Sequence, residues 1–138
     1  FWNQGDRAIR ISPREQISFL GKLARGTLGV SAQTSARMRE IARQVPAAEG
    51  PLKTIPFYGK TGLGYRTETP PREAIGWYVG WVDREGEAIP YASLSMGPVE
   101  AAMGARLTNL RQAMGEYLPK PPKAGAREEG RDQPGRMA

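Results

Sequence analysis

The sequence predicts a mixed α/β (α+β) domain in which antiparallel strands pack against helices. Three observations support this. The chain opens with two stretches that carry helix-start signals and helically spaced apolar residues. A strongly alternating β-prone run and a second β-prone run then flank a short polar turn. A long segment with an apolar stripe follows. At 138 residues the chain is long enough for one modest domain and too short for two large ones.

Residues 1–11 mix aromatics, Gly5 and charge and read as a loop. In ISPREQISFLGKL, Ser12 suits an N-cap, Pro13 a first helical position and Glu15 the return half of a capping box. Ile17, Leu20 and Ala24 share a face with Phe19 and Leu23 beside it, and Gly26 marks the stop. Ser31 caps a second predicted helix that runs through Val45, with Met38, Ile41, Ala42 and Val45 as its core face, until Pro46 ends it. PLKTIPFYGKTG is β-prone, and the polar loop LGYRTETPPREA follows. IGWYVGWVD alternates Ile75, Trp77, Val79 and Trp81 with Gly76, Tyr78, Gly80 and Val82. Glycines on one face imply close approach of another backbone or helix. REGE makes a turn, and AIPYASLSM is an antiparallel partner. The last helix spans about Ala102 to Leu118, with Leu107, Leu110, Met114, Tyr117 and Leu118 as its stripe. Residues 119–138 are rich in proline, glycine and charge and read as a disordered basic tail, which leaves residues 1–118 as the folded portion.

Composition narrows the chemistry. With no cysteine and no histidine, disulfides, thiolate or imidazole metal sites, and Ser-His or Cys-His catalysis are all excluded for these residues. No metal and no cofactor are expected. Net charge is +6, but residues 1–118 hold 15 Lys/Arg against 11 Asp/Glu with the signs interspersed. No basic stripe alternates with aromatics, so nucleic acid is not an expected partner. No apolar run approaches the roughly 20 residues that span a bilayer. The start at Phe1 suggests a processed or truncated product.

The residues that carry chemistry begin at FYGKTGLGY. Lys60 brings an ammonium and Thr61 a hydroxyl, both suited to a carboxylate or phosphate, while Gly59 and Gly62 leave room for a ligand. Alone, Lys-Thr-Gly is a weak motif, and an ordinary solvated lysine at a turn is the plainer reading. It gains weight from FW at the start, ISPREQISFLGKL, IGWYVGWVD, IPYASLSM and the arginine of MGARLTNLR. In that order and spacing, the chain resembles the C-terminal part of the class D, oxacillinase-type, serine β-lactamases. The resemblance runs from Phe1 to about Pro119.

This resemblance implies a fragment of the serine β-lactamase/penicillin-binding-protein-like fold, with β-lactam antibiotics as substrate and a periplasmic or secreted location. It implies that Lys60, Thr61 and Gly62 form the substrate-binding strand and that Arg106 binds the drug's carboxylate. A guanidinium fork fits a carboxylate better than an ammonium does; the plain alternative is a solvated helix arginine. The backbone N–H of Leu63 matches the family's second oxyanion donor. Trp2 matches the tryptophan whose indole N–H supports the carbamylated lysine that serves as general base, although a terminal aromatic packed on the core is an equal reading. Asn3 departs from the apolar residue usual after that tryptophan.

The family's nucleophile and base sit in a Ser-x-x-Lys motif, and no serine here has lysine three residues on. Its Ser-x-Val and Tyr-Gly-Asn elements are absent too. The expected partner is therefore the missing N-terminal half of the same domain, and the chain alone is expected to be inactive. It is also expected to leave the faces of Trp77 and Trp81 and the Leu107–Leu118 stripe incompletely covered. Lys60 and Arg106, 46 positions apart, are expected on one side of the sheet. Two rival readings are a penicillin-binding transpeptidase or β-lactam sensor domain, and a small basic binding protein.

Overall fold

The computed structural model describes residues 10–66 and 69–118. Helix α1 (Pro13–Arg25) starts as its sequence requires. Ser12 Oγ accepts from the Glu15 N–H at 3.2 Å, and Glu15 Oε2 accepts from the Ser12 N–H at 2.7 Å. Each such cap is worth about 1 kcal/mol. Gly26 closes the helix with a left-handed φ of 70°. Helix α2 (Ala32–Ala42) is capped by Ser31 and ends three residues before Val45.

A single 3₁₀ turn (Pro51–Lys53) precedes β1 (Phe57–Tyr65), so the β-prone run beginning at Pro51 becomes strand only from Phe57. Strands β2 (Glu73–Arg84) and β3 (Glu87–Pro98) extend beyond their predicted limits, because pairing satisfies backbone groups that propensity alone leaves undecided. They join through Glu85 and Gly86, both with positive φ, in a two-residue turn that matches the twist of the strands. The sheet is antiparallel in the order β1-β2-β3. Helix α3 (Val99–Tyr117) follows directly, three residues earlier than predicted.

The alternation along β2 divides the protein into three layers. Tyr78 and Val82 face α3, where Phe57, Tyr91, Leu110, Met114 and Leu118 complete the larger core. Trp81 and Val79 face α1, against Tyr58, Leu20 and Leu23. Close approach at the β2 glycines is found as expected. A Cβ at Gly76 would lie 2.5 Å from the Ala102 carbonyl oxygen of α3.

Two expectations about burial are overturned. Trp81 is only 2% exposed, and Leu110, Met114 and Leu118 are buried, because the chain's own α1 and α3 cover both faces of β2, whereas Trp77 and Leu107 are only half-buried, as expected. The uncovered apolar side chains lie elsewhere. Met38, Ile41 and Val45, read as core, are 41, 76 and 84% exposed. The reason is polar: α2 meets the sheet through Arg39 and Ala42, and this turns the Met38–Ile41 side outward. Ile17 and Phe19 of α1 are likewise exposed, while Leu20 of the predicted face is buried together with Gly21, and Leu23 and Ala24 pack beside it. Leu94 and Met96 are exposed near the end of β3. The predicted tail at 119–138 and the side chain of Tyr117 lie outside what is described.

Candidate functional site

β1 is an edge strand, and its first half is held from outside. Arg43 bridges Tyr58, the Gln44 N–H donates to the Phe57 carbonyl at 3.0 Å, and Gln44 Nε2 donates to the Gly59 carbonyl at 2.9 Å. Gln44 Oε1 accepts from the Tyr78 hydroxyl at 3.0 Å, which fixes the amide's orientation. Among the described residues, no further strand pairs with β1 beyond this point. Lys60, Thr61, Gly62 and Leu63 therefore form an accessible stretch that starts from a rigid anchor.

Gly59 has a different role from the one expected. A Cβ there would collide with the Tyr91 hydroxyl and press on the Tyr78 ring. The Tyr91 hydroxyl donates to the Tyr58 carbonyl at 2.7 Å. Gly59 is thus small for core packing and not for a ligand. At Gly62 a Cβ would make ordinary contact with Trp77 at 3.6 Å.

Both candidate cations reach the same short stretch. Lys60 Nζ donates to the Thr61 carbonyl at 2.6 Å, and Arg106 Nη1 donates to the Gly62 carbonyl at 3.4 Å. Arg106 Nε also donates to the Met103 carbonyl of its own helix at 3.1 Å, which steadies the guanidinium. They do not share a face, however. Lys60 stands opposite Val79, on the α1 side of the sheet, whereas α3 lies over the side of Gly76 and Tyr78. Strand alternation imposes this separation. Thr61, opposite Tyr78, shares the α3 side with Arg106; Leu63, opposite Gly76, does too and is exposed. The expectation that Lys60 and Arg106 share one side of the sheet is corrected accordingly. Trp2 lies outside the described residues.

Sequence reasoning missed a polar cluster behind the motif. The Tyr58 and Trp81 rings stack at 4.9 Å and 9°, and the Arg39 guanidinium lies 4.8 Å from the first ring centroid and 5.8 Å from the second. Arg39 is also paired with Asp83 and donates to the Ala24 carbonyl at 3.3 Å. One side chain thus joins α1, α2, β1 and β2. Nothing in the periodicity of α2 singled it out, because Arg39 falls among three other charged residues, Arg37, Glu40 and Arg43.

The comparisons agree with this architecture. The chain is 38% identical over 106 residues to the β-lactamase OXA-48 of Klebsiella pneumoniae, covering 77% of the chain and 36% of that enzyme. The crystal structure of the class D β-lactamase OXA-427 superposes with a TM-score of 0.65 at 30% identity, over 80% of this chain and 46% of that one. This chain is homologous to part of the class D β-lactamases. The class D β-lactamase FUS-1 of Fusobacterium nucleatum subsp. polymorphum matches in fold, with a TM-score of 0.67 at 21% identity, across 87% of this chain and 46% of its own. No protein-family model matches the chain. As a class D homologue it spans about a third of the curated enzyme and just under half of each solved structure.

Proposed function

We propose that the chain supplies the substrate-binding wall of a class D β-lactamase acting on β-lactam antibiotics outside the cytoplasm, with the nucleophile and general base carried by the remainder of the domain. The observation that carries this reading is the meeting of Arg106 with the Thr61–Gly62 segment in a homologue of class D β-lactamases. Thr61 contributes a hydroxyl and Arg106 a guanidinium on one side of the edge strand, a pair suited to a carboxylate. Lys60 extends toward the other side. There Leu94 and Met96 are exposed, opposite Trp77 and Ile75, and the remainder of the domain would pack over them.

In this reading the carboxylate is held first, and the strained ring carbonyl is thereby aligned for attack. The Leu63 N–H then stabilises the charge that develops on the carbonyl oxygen, an effect worth about 3 kcal/mol for one donor. Neither step requires a nucleophile in this chain. Trp2 would support the general base across the boundary between the two portions.

The test replaces the matching segment of the OXA-48 enzyme with this chain and follows hydrolysis of a chromogenic cephalosporin. The chimera is expected to turn over the drug, and the chain alone to match the buffer blank. Turnover by the chain alone that tracks the protein through repurification would overturn the division of roles. A folded chimera that neither binds nor is acylated would overturn the substrate-binding assignment.

A further inference from the structure

The peptide groups of β1 alternate between two directions, and contacts just beyond its two ends fix which is which. The Asp83 N–H donates to the Pro56 carbonyl at 2.9 Å, and the Arg66 N–H donates to the Glu73 carbonyl at 2.8 Å. The register between these points is unbroken, so Tyr58, Lys60, Gly62 and Gly64 turn their N–H and C=O groups toward β2. Phe57, Gly59, Thr61 and Leu63 turn theirs to the open edge. The Leu63 N–H and the Thr61 peptide groups thus belong to the same row as the Phe57 and Gly59 carbonyls.

Gln44 takes the first positions of that row. Its backbone N–H serves Phe57 at 3.0 Å and its side-chain Nε2 serves Gly59 at 2.9 Å, in place of a further strand. Nε2 also donates to the Ala42 carbonyl at the end of α2, at 2.9 Å, so both amide hydrogens are used. With Nε2 held against two carbonyls, Oε1 must face the Tyr78 hydroxyl, which donates to it at 3.0 Å. Tyr78 is 3% exposed, stands opposite Thr61 and meets Tyr91 edge-on, so the amide is rooted in the larger core. We infer that Gln44 is a positioning residue for substrate binding: by fixing the Gly59 carbonyl, it sets the line along which Thr61 and the Leu63 N–H are presented. It touches no substrate and acts through β1. The inference deepens the role proposed for β1 and rests on it. An oxyanion donor works over a window of roughly 2.7–3.1 Å, so a strand that shifts by a fraction of an ångström loses part of the effect.

The test uses the OXA-48 chimera carrying this chain, with Gln44→Met, Tyr78→Phe and both together. Gln44→Met keeps the length of the side chain and removes its donors. Amide exchange of Lys60 and Gly62, whose N–H groups face β2, is expected to speed up about five- to tenfold in Gln44→Met, the fold-change of one hydrogen bond. Amides between β2 and β3 should keep their rates. The kcat/KM for the chromogenic cephalosporin is expected to fall about tenfold, chiefly in kcat, because the Leu63 N–H acts on charge that develops in the transition state. Tyr78→Phe should give a smaller loss in the same direction, and the double variant no more than Gln44→Met, since Tyr78 acts through Gln44. Met114→Ala thins the core under α3 and is expected to lower the melting temperature while leaving both kinetic constants unchanged. The inference fails if Gln44→Met leaves exchange at Lys60 and Gly62 unchanged, if kcat/KM moves no further than in Met114→Ala, or if the two single losses add. A folded parent chimera that neither binds nor is acylated instead overturns the role proposed for β1, and the inference falls with it. A chimera without protected β2 and β3 amides also counts against it.

Discussion

Arg106 reaches the Gly62 carbonyl from α3 at 3.4 Å, 44 positions along the chain, and so links the closing helix to the strand that carries Lys60 and Thr61. In a full-length enzyme containing this chain, Arg106→Ala should weaken carboxylate binding, raising KM more than it lowers kcat. The expected fall in kcat/KM is roughly 10- to 100-fold, the range of a hydrogen bond to a charged group. Arg106→Lys should recover part of it. Equal steady-state constants for Arg106→Ala and the parent would remove Arg106 from the site.

The contact of Gly76 with α3 leaves no room for a methyl group, since the listener on the other side is the Ala102 carbonyl, 2.5 Å from the would-be Cβ. Gly76→Ala should destabilise the fold by about 1–3 kcal/mol, as overpacking does. Urea denaturation reads this directly. Gly64→Ala, where nothing lies within 4 Å, serves as the tolerated control.

Arg39 and Asp83 should respond unequally to truncation. Asp83→Ala removes one partly exposed ion pair, worth about 1 kcal/mol or less after solvent screening. Arg39→Ala also removes the bond to Ala24 and the cover over the Tyr58 and Trp81 rings, so it should cost clearly more. Equal losses in thermal or denaturant melts would mean that the ring contacts contribute nothing.

Burial pushes the Tyr91 phenol well above its ordinary value of 10, and it pushes Tyr78 upward as well. The folded state therefore retains protons that the unfolded state releases. The stability from these phenols is complete below pH 10 and declines as pH rises above it. Alkaline unfolding monitored by circular dichroism should begin above pH 10 and become shallower in Tyr91→Phe. That variant should cost about 1 kcal/mol at neutral pH, because the Tyr58 carbonyl loses its donor.

The exposed Met38, Ile41 and Val45 should bind a hydrophobic dye in the isolated chain. Ile41→Lys with Val45→Lys should reduce that binding without lowering the melting temperature. A lowered melting temperature would instead mean that these side chains are packed.

Much of the fold was legible because its signals are local. Ser12 with Glu15, Gly26 and the turn at Glu85-Gly86 each act within a few residues, and each is found where the sequence predicts it. Order and spacing also made the class D relationship readable, since Lys60-Thr61-Gly62 and the Trp77–Trp81 run occur together in one chain. Helix orientation was not legible. Met38, Ile41 and Val45 have the spacing of a core face, but spacing fixes only which residues share a side, and the Arg39 contacts decide which side turns inward.

The sequence by itself determined the elements, their capping and the chemical groups available, because these depend on neighbours along the chain. Tertiary structure alone decided that Gly59 makes room for Tyr91, and that Arg106 shares a side with Thr61 and not with Lys60. The physical reason is that strand alternation is local, whereas the face on which α3 lands is set by burial of Leu110, Met114 and Leu118 against residues far away in sequence.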